Sequence, residues 1–292
     1  MRLPLAALSC GLALCANPVL ADAPPLRFSL LRTAVTPAVP DALVTAGASW
    51  LQRSSSNHIA VLVQHGSEYF LFDTGLGRQA KVQFGKDMPY WIRPLMEFGQ
   101  LQPARDQLDA AGIGIKRIFL SHTHWDHLGG AVDFPEADVI TPAAEQVYMR
   151  TDTPPRVLPS QVLAPNLHWR ALPLQDRPYR GFARSYDVYG DDSVVRVALR
   201  GHTPGSVGMF VNLSPQKHFL FVGDAVWRVK ELEQHTRKAW PARAIADNDA
   251  SGVLSTIELI RQAQQQVSGL GIVPAHDTEV HAKLGYFPTW VD

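Results

Sequence analysis

The sequence predicts an α/β protein in which two β-sheets carry helices on their outer faces. Short apolar runs typical of strands occur in both halves of the chain, and segments with helical periodicity alternate with them. Hairpins and β–α units therefore occur in each half, a pattern typical of two sheets covered by helices. At 292 residues and 46% hydrophobic composition, the chain is long enough to bury a large core.

The first half of the chain contains a hairpin followed by alternating helices and strands. Strands are predicted at 57–65 and 68–73, joined by a Gly-Ser turn, and again at 116–120 and 138–141. Helices are predicted at 103–111, which begins at a proline and stops at Gly112, and at 142–150, with helical turns from about 123.

The second half contains most of the remaining strands and the longest helix. Strands are predicted at 193–199, 207–212, 218–223 and 270–273. A helix is predicted at 249–267 because apolar side chains recur there at helical spacing. Those side chains are Val253, Ile257, Ile260 and Val267.

Two segments interrupt this regular alternation. Residues 151–180 contain six prolines, too many for a helix or a central strand. Residues 84–103 carry aromatic and methionine side chains with little periodicity. Long loops of this kind either form the walls of a binding site or cover the surface as packing, and the sequence leaves both interpretations open.

The first 21 residues have the pattern of a secretory signal peptide. They contain one positive charge at Arg2, an apolar centre and a small residue at Ala21, after which cleavage is predicted. Pro4, Pro18 and the short apolar span argue against a buried helix or a membrane anchor. The signal thus predicts a periplasmic or secreted protein without membrane insertion, with a single domain at 22–292.

Cysteine content and charge narrow the classes of function. Cys10 and Cys15, the two cysteines of the chain, both lie inside the predicted signal, so the mature protein has no thiol nucleophile and no cysteine metal ligand. The 27 basic and 27 acidic residues balance, which argues against a nucleic-acid partner. A small-molecule substrate is the expected partner, and a homodimer is left open.

The stretch SHTHWDHLGG at 121–130 contains the densest group of metal-binding side chains. His122, His124, Asp126 and His127 follow the apolar run at 118–120. Imidazole nitrogens and carboxylate oxygens are ligands that zinc accepts. With only eleven histidines in the chain, chance clustering is a poor explanation. The stretch therefore predicts a metal site at the end of a strand.

Three later side chains share the same local pattern of an apolar strand, a small or turn residue, and then a metal-binding group. His202 lies in GHTPGS, Asp224 in FVGDA and His276 in IVPAHD. Five histidines and two aspartates suit two metal ions that share a bridging carboxylate. The remaining histidines lack this pattern and are predicted to be structural or exposed: His58, His65, His168, His218, His235 and His281.

These motifs together resemble the metallo-β-lactamase superfamily, and FDTG at 72–75 is similar as well. The resemblance implies an αββα four-layer sandwich, with two mixed β-sheets flanked by helices and the metals at the sheet edges. Asp73 would support the metal loop from below without binding a metal. The resemblance also implies how the ligands divide: His122, His124 and His202 on the first metal, Asp126, His127 and His276 on the second, and Asp224 bridging both.

The implied activity is that of a secreted dizinc hydrolase. Two divalent ions, expected to be Zn²⁺, would activate a hydroxide that cleaves an ester, a lactone or a similar bond. Asp126 and Asp224 are the predicted catalytic residues, Asp126 by steering a proton and Asp224 by bridging the metals.

Three alternatives stay open on the same fold: a phosphotriester hydrolase, a zinc β-lactamase, and a non-catalytic metal-binding or sensing protein. The β-lactamases of the family lack an aspartate at the place of Asp224, which disfavours that activity. Acyl-homoserine-lactone lactonases share all seven ligand types but carry a tyrosine three residues after the bridging aspartate. Trp227 occupies that position here.

Overall fold

The computed structural model describes residues 25–292, so the predicted signal peptide at 1–21 lies outside the described residues. The strands are β1 (Leu26–Val35), β2 (Val39–Pro40), β3 (Arg53–Ser54), β4 (Asn57–His65), β5 (Glu68–Phe72), β6 (Arg117–Phe119), β7 (Asp138–Thr141), β8 (His168–Ala171), β9 (Ser185–Asp187), β10 (Val194–Ala198), β11 (Val207–Ser214), β12 (Lys217–Gly223) and β13 (Gly271–Pro274). The α-helices are α1 (Ala80–Asp87), α2 (Ala104–Ala110), α3 (Trp125–Leu128), α4 (Ala143–Thr151), α5 (Pro159–Val162), α6 (Val229–Glu233), α7 (Trp240–Ala246), α8 (Ala250–Gln266) and α9 (Thr278–Leu284).

Two mixed sheets form the centre of the molecule. The first has six strands in the order β1-β4-β5-β6-β7-β8, and the second has five in the order β13-β12-β11-β10-β9. In the first sheet the neighbours β5–β6, β6–β7 and β7–β8 are parallel, and in the second sheet β12–β13 is parallel. The remaining neighbours are antiparallel. The carboxyl ends of β5, β6 and β7 therefore lie at one edge of their sheet.

Alternation along β4 shows how each sheet is covered on both faces. Val61 and Val63 pack in the core between the two sheets, whereas Ala60 and Leu62 pack in a second core beneath α2 and α4. Because side chains of a strand point alternately to opposite faces, an almost wholly apolar strand must be buried on both sides.

The second sheet is covered by α8. Val253, Ile257 and Ile260 of this helix are buried against apolar side chains of β10, β11 and β12. The buried apolar face predicted for this helix is correct at these three positions. Val267, the fourth predicted residue of that face, lies just beyond the end of the helix. The layers therefore run helix, sheet, sheet, helix, and the predicted four-layer αββα sandwich is confirmed.

Several elements were not predicted from the sequence. Strand β1 pairs with β4 along its whole length, and its arginines Arg27 and Arg32 stack on Trp290 and Tyr286, so its polar side chains are covered. The proline-rich segment 151–180 contains the one-turn helix α5, so the prediction of no helix there is wrong. Pro159 occupies the first turn of α5, where a missing N–H costs nothing.

The rest of the same segment behaves as predicted. Its strand β8 lies at the edge of the first sheet, the position in which a strand beside prolines is tolerated. Among residues 25–292, no helix is long and apolar enough to cross a membrane.

Candidate metal centre and substrate cavity

The predicted ligands converge where strands of both sheets end. His122 and His124 follow β6, and the chain then turns directly into α3, which carries Asp126 and His127. His202, Asp224 and His276 follow β10, β12 and β13 in the same way. The predicted pattern of a strand, a turn and a donor therefore places all seven side chains at one site.

Three histidines form the first group. The Nε2 atom of His202 lies 3.0 Å from Nε2 of His122 and 3.0 Å from Nδ1 of His124. Each of the three residues is at most 4% exposed. Their inward nitrogens lie within 4.8 Å of one another, a spacing that one metal ion can span.

The second group surrounds Asp224. Its Oδ1 atom lies 3.2 Å from Nε2 of His127 and 3.2 Å from Nε2 of His276, while Oδ2 lies 3.6 Å from Nε2 of His202. Asp126 approaches His276 at 3.4 Å and His127 at 4.0 Å. Oδ2 also lies 3.2 Å from Nε2 of His276, so the Asp224 carboxylate lies between the two groups, the position that a bridging carboxylate requires.

Each of the five motif histidines uses its other ring nitrogen for an anchoring contact. This contact determines which nitrogen of each ring points inward, as is usual for metal-binding histidines. The anchoring partners are Ser121 Oγ for His122 (2.9 Å), Tyr148 Oη for His124 (3.0 Å), Asp73 Oδ2 for His127 (2.8 Å), Asp247 Oδ1 for His202 (2.8 Å) and the Asn57 carbonyl for His276 (2.7 Å).

The pKa values of the site residues are shifted by burial and by neighbouring charged groups. Burial, followed by the neighbouring histidines, holds the pKa values of His122 and His124 well below the ordinary value. Burial also acts to lower the pKa of His127, but the carboxylates around it, Asp224 first, raise it well above its usual range. Burial likewise opposes ionisation of Asp224, yet His276 and His127 hold its pKa well below normal.

The residues fit a pair of divalent metal ions. Within the described part of the chain, His127 Nε2 and Asp224 Oδ1 are buried without a hydrogen-bond partner, although they lie 3.2 Å apart. A bound ion satisfies buried polar atoms that lack a protein partner. Neutral imidazoles and ionised carboxylates are the ligand set that zinc accepts.

Asp73 has the supporting position that the sequence predicted. Its Oδ1 accepts a hydrogen bond from the backbone N–H of Ser121 at 2.6 Å, and its Oδ2 accepts from the Ser121 hydroxyl at 2.7 Å and from His127. Both oxygens are therefore occupied beneath the metal loop.

Glu145 of α4 is a support that the sequence did not indicate. Its carboxylate accepts from the N–H and hydroxyl of Thr123 at 2.8 Å each, from the Thr203 hydroxyl at 2.6 Å and from the Gly205 N–H at 3.1 Å. A side chain at Gly205 would begin 2.4 Å from the Glu145 backbone nitrogen, which explains the glycine of GHTPGS. Glu145 thus ties both histidine loops together.

A buried lysine lies behind His202. Lys238 is 1% exposed, pairs with Asp247 and lies 3.2 Å from Nδ1 of His202. The carboxylate of Asp247 accepts from both neighbours. Neither residue lies in one of the metal-binding motifs of the sequence.

His58 has a place at the candidate site that the sequence did not indicate. It was expected to be structural or exposed, but it lies at the site, 4% exposed, with Nδ1 3.2 Å from Asp126 Oδ2. Its place at the start of β4, one residue after Asn57, has no local motif. Only the pairing of β4 with the rest of the sheet brings it to the metal edge.

A cavity of about 240 Å³ opens onto the second group. Its floor includes His58, Asp126, Asp224 and His276. Most of its walls are apolar, and they come from the segments 36–44, 94–97, 155–156 and 241–246, together with Trp125 and Trp227. Parts of both irregular segments, 84–103 and 151–180, therefore line the cavity.

The two tryptophans of the cavity differ in their contacts. Trp125 is 5% exposed and packs on Phe84 and Phe98, with ring centroids 5.5 and 5.9 Å away. Trp227 donates its indole N–H to Asp224 Oδ2 at 2.7 Å. A larger cavity of about 450 Å³ lies beyond Arg228, but its lining is polar and includes none of the seven predicted ligands.

An αββα sandwich with a histidine and aspartate cluster at its sheet edge defines a class of metal-dependent hydrolases. Residues 56–276 match the family described as the metallo-beta-lactamase superfamily, and the chain belongs to that superfamily.

The chain is similar to several proteins of this class. The N-acyl homoserine lactonase AttM of Rhizobium radiobacter is 27% identical over 210 residues, covering 68% of this chain and 72% of that protein. A probable metallo-hydrolase of Mycobacterium tuberculosis is 29% identical over 245 residues, covering 76% and 74%. The structure of a B. thuringiensis AiiA mutant with N-decanoyl-L-homoserine bound at its active site shares the fold, with a TM-score of 0.70, 18% identity and coverage of 91% and 98%.

Proposed function

We propose that this protein is a dizinc lactonase that opens lactones carrying an apolar substituent. The observation that carries the proposal is the apolar cavity that opens directly onto Asp126, Asp224 and His276. An apolar wall beside a polar reaction centre suits a substrate whose ester group is reactive and whose remainder is hydrocarbon. The relatives named as N-acyl homoserine lactonases support a lactone as the substrate class.

The seven predicted ligands would hold the two ions. His122, His124 and His202 would bind the first, Asp126, His127 and His276 the second, and Asp224 both. When bound, two zinc ions would lower the pKa of a water molecule to near neutrality and polarise the carbonyl oxygen of the ester.

The side chains around the cavity would orient the reactants and move the proton. Hydrolysis forms a bond from the water oxygen to the carbonyl carbon, breaks the ring C–O bond and transfers a proton to the leaving oxygen. Asp126 lines the cavity beside the proposed reacting atoms, where its carboxylate would take the proton from the water and pass it to the leaving oxygen. The indole of Trp227 holds Asp224 in orientation through its N–H.

The test is a substrate panel on the zinc-loaded protein: an acyl lactone, an aryl ester, a phosphotriester and a cephalosporin. We expect the acyl lactone to have the highest kcat/KM. Replacing Asp224 by alanine should reduce bound zinc below two equivalents and abolish turnover, because the shared ligand is lost. Two retained zinc ions with full turnover in that variant would contradict the bimetallic assignment.

A phosphotriester hydrolase is the second candidate, and Trp227 is the observation that favours it. The indole has no hydroxyl to contact a lactone carbonyl, and its N–H is bonded to Asp224. Phosphotriester turnover well above lactone turnover would select this candidate. Two bound ions without turnover of any substrate would select a metal-binding or sensing role.

Export belongs to the same proposal. Mass spectrometry of the protein recovered from its natural host should find Asp22 at the mature N-terminus and the protein outside the cytoplasm. Light scattering of that mature protein would determine whether it forms a homodimer.

A further inference from the structure

His58 shares an unusual property with two of the motif residues, His127 and Asp224. Among residues 25–292, neither of its ring nitrogens has a hydrogen-bond partner, although the residue is 4% exposed. Burying an imidazole without partners is costly, so such a group in a native site calls for a partner of another kind. His127 Nε2 and Asp224 Oδ1 are buried without partners in the same way.

The contacts of His58 point toward a metal position. Its Nδ1 lies 3.2 Å from Asp126 Oδ2 without forming a hydrogen bond to it, and Asp126 Oδ2 lies 3.4 Å from His276 Nε2. One donor atom from each of these three residues lies within 4.8 Å of the donor atoms of the other two. The three histidines of the first group meet the same criterion.

Packing holds the His58 ring in this place. The ring lies edge-on to His276, with centroids 5.4 Å apart, and tilted against Trp125 at 5.8 Å. The backbone of Asn57, the preceding residue, accepts the hydrogen bond that anchors His276. The start of β4 thus positions one predicted ligand through its backbone and presents a second imidazole beside it.

We propose that His58 is an additional ligand, through Nδ1, of the metal ion held by Asp126 and His276. This inference rests on the proposed dizinc site and adds a nitrogen donor that the seven motif residues do not include. The second ion then has one more imidazole than the motifs alone supply.

Metal binding by three variants tests the proposal. His58→Phe keeps the ring and removes both nitrogens, whereas His58→Asn retains a donor atom near the place of Nδ1. His65→Phe, at the other end of β4, is the control, because His65 stacks on Tyr189 and a phenyl ring preserves that contact. Zinc and Co²⁺ affinities are measured by chelator competition, and the electronic spectrum of the Co²⁺ protein is recorded.

We expect His58→Phe to bind the second ion at least about tenfold more weakly, as losing even an outer contact of a metal site costs roughly 10–100-fold. The Co²⁺ spectrum should change in His58→Phe, recover in part in His58→Asn and remain that of the wild type in His65→Phe. Unchanged affinity, or weaker binding with an unchanged spectrum, would overturn the proposal. If the wild-type protein itself does not bind two ions, the result contradicts the proposed dizinc function and not the role of His58 in particular.

Discussion

Glu231 is a fully buried carboxylate directly behind the cavity wall. Its two oxygens accept hydrogen bonds from the Thr45 hydroxyl and from the Trp227 backbone N–H, both at 3.1 Å. Burial raises the pKa of Glu231 to about 7, and the Lys238 ammonium opposes this rise without cancelling it. Glu231 therefore contacts the backbone of Trp227, whose indole in turn bonds to Asp224.

The stability of the protein should reflect this raised pKa. Between the ordinary value of 4.5 and about 7, the folded protein retains a proton that the unfolded chain has released. The free energy of unfolding therefore falls as the pH rises through this window and is constant above it, with a total loss of up to about 3 kcal/mol. Glu231→Gln lacks the titrating proton and should not lose this stability. The melting temperature of the variant minus that of the wild type should therefore increase from pH 5 to pH 7.5.

Thermal unfolding of both proteins in a pH series measures this difference. The ligand histidines titrate in both proteins, so their contribution cancels. Glu233→Gln is the matched control, because Glu233 is exposed on the same helix. A difference between Glu231→Gln and the wild type that stays the same at every pH would contradict the assignment.

At the scale of elements, α4 connects the two loops that carry His122, His124 and His202, and we call this connection the clamp. Its single acidic side chain, Glu145, bonds to the loop after β6 through Thr123 and to the loop after β10 through Thr203 and Gly205. These two loops come from different sheets. The helix therefore couples the first sheet to the second at the metal edge.

Removing the clamp should loosen both loops. Glu145→Ala should lower the free energy of unfolding by about 3 kcal/mol, because four buried hydrogen bonds to one carboxylate are lost. It should also weaken zinc binding by the three-histidine group. Denaturant unfolding and chelator competition measure the two effects. Val147→Ala, at an exposed site on the same helix, should change neither, and wild-type zinc affinity in Glu145→Ala would refute the clamp.

At the scale of the whole molecule, the donors come from both sheets. His122, His124, Asp126 and His127 belong to the first sheet's edge, and His202, Asp224 and His276 to the second sheet's edge. Metal ions that bind all seven would hold the two sheets together. Removing the metal should therefore destabilise the entire domain and not only a loop.

This coupling predicts a large thermal effect of metal removal. At a free zinc concentration about 100 times the Kd, each bound ion adds about 2.7 kcal/mol, which is roughly 5–10 °C per ion in a domain of this size. The gain should shrink from pH 8 to pH 6, because the histidines must be deprotonated to bind. Calorimetry with and without a chelator at both pH values measures it. Equal melting temperatures with and without zinc at pH 8 would contradict the role of the metal in the fold.

Strands and ligands were predictable where the signal is local. The bounds of β4 and β7 match the predicted 57–65 and 138–141, since apolar runs ending at turn residues identify buried strands. Strand β1 was missed because its polar side chains are covered by residues distant in sequence, such as Trp290 and Gln64. The short helix α5 was missed because proline content alone does not show where a helix begins.

The chemistry of the site was readable from the chain itself, whereas its organisation required the fold. A metal-binding side chain directly after an apolar strand is a local arrangement, so His122 to His127, His202, Asp224 and His276 could be named without coordinates. The convergence of these donors at one edge, the anchoring of each imidazole, and the places of His58, Glu145 and Lys238 depend on contacts between residues far apart in sequence. Such contacts leave no periodicity or spacing in the chain, because only the pairing of strands and the packing of layers brings those side chains together.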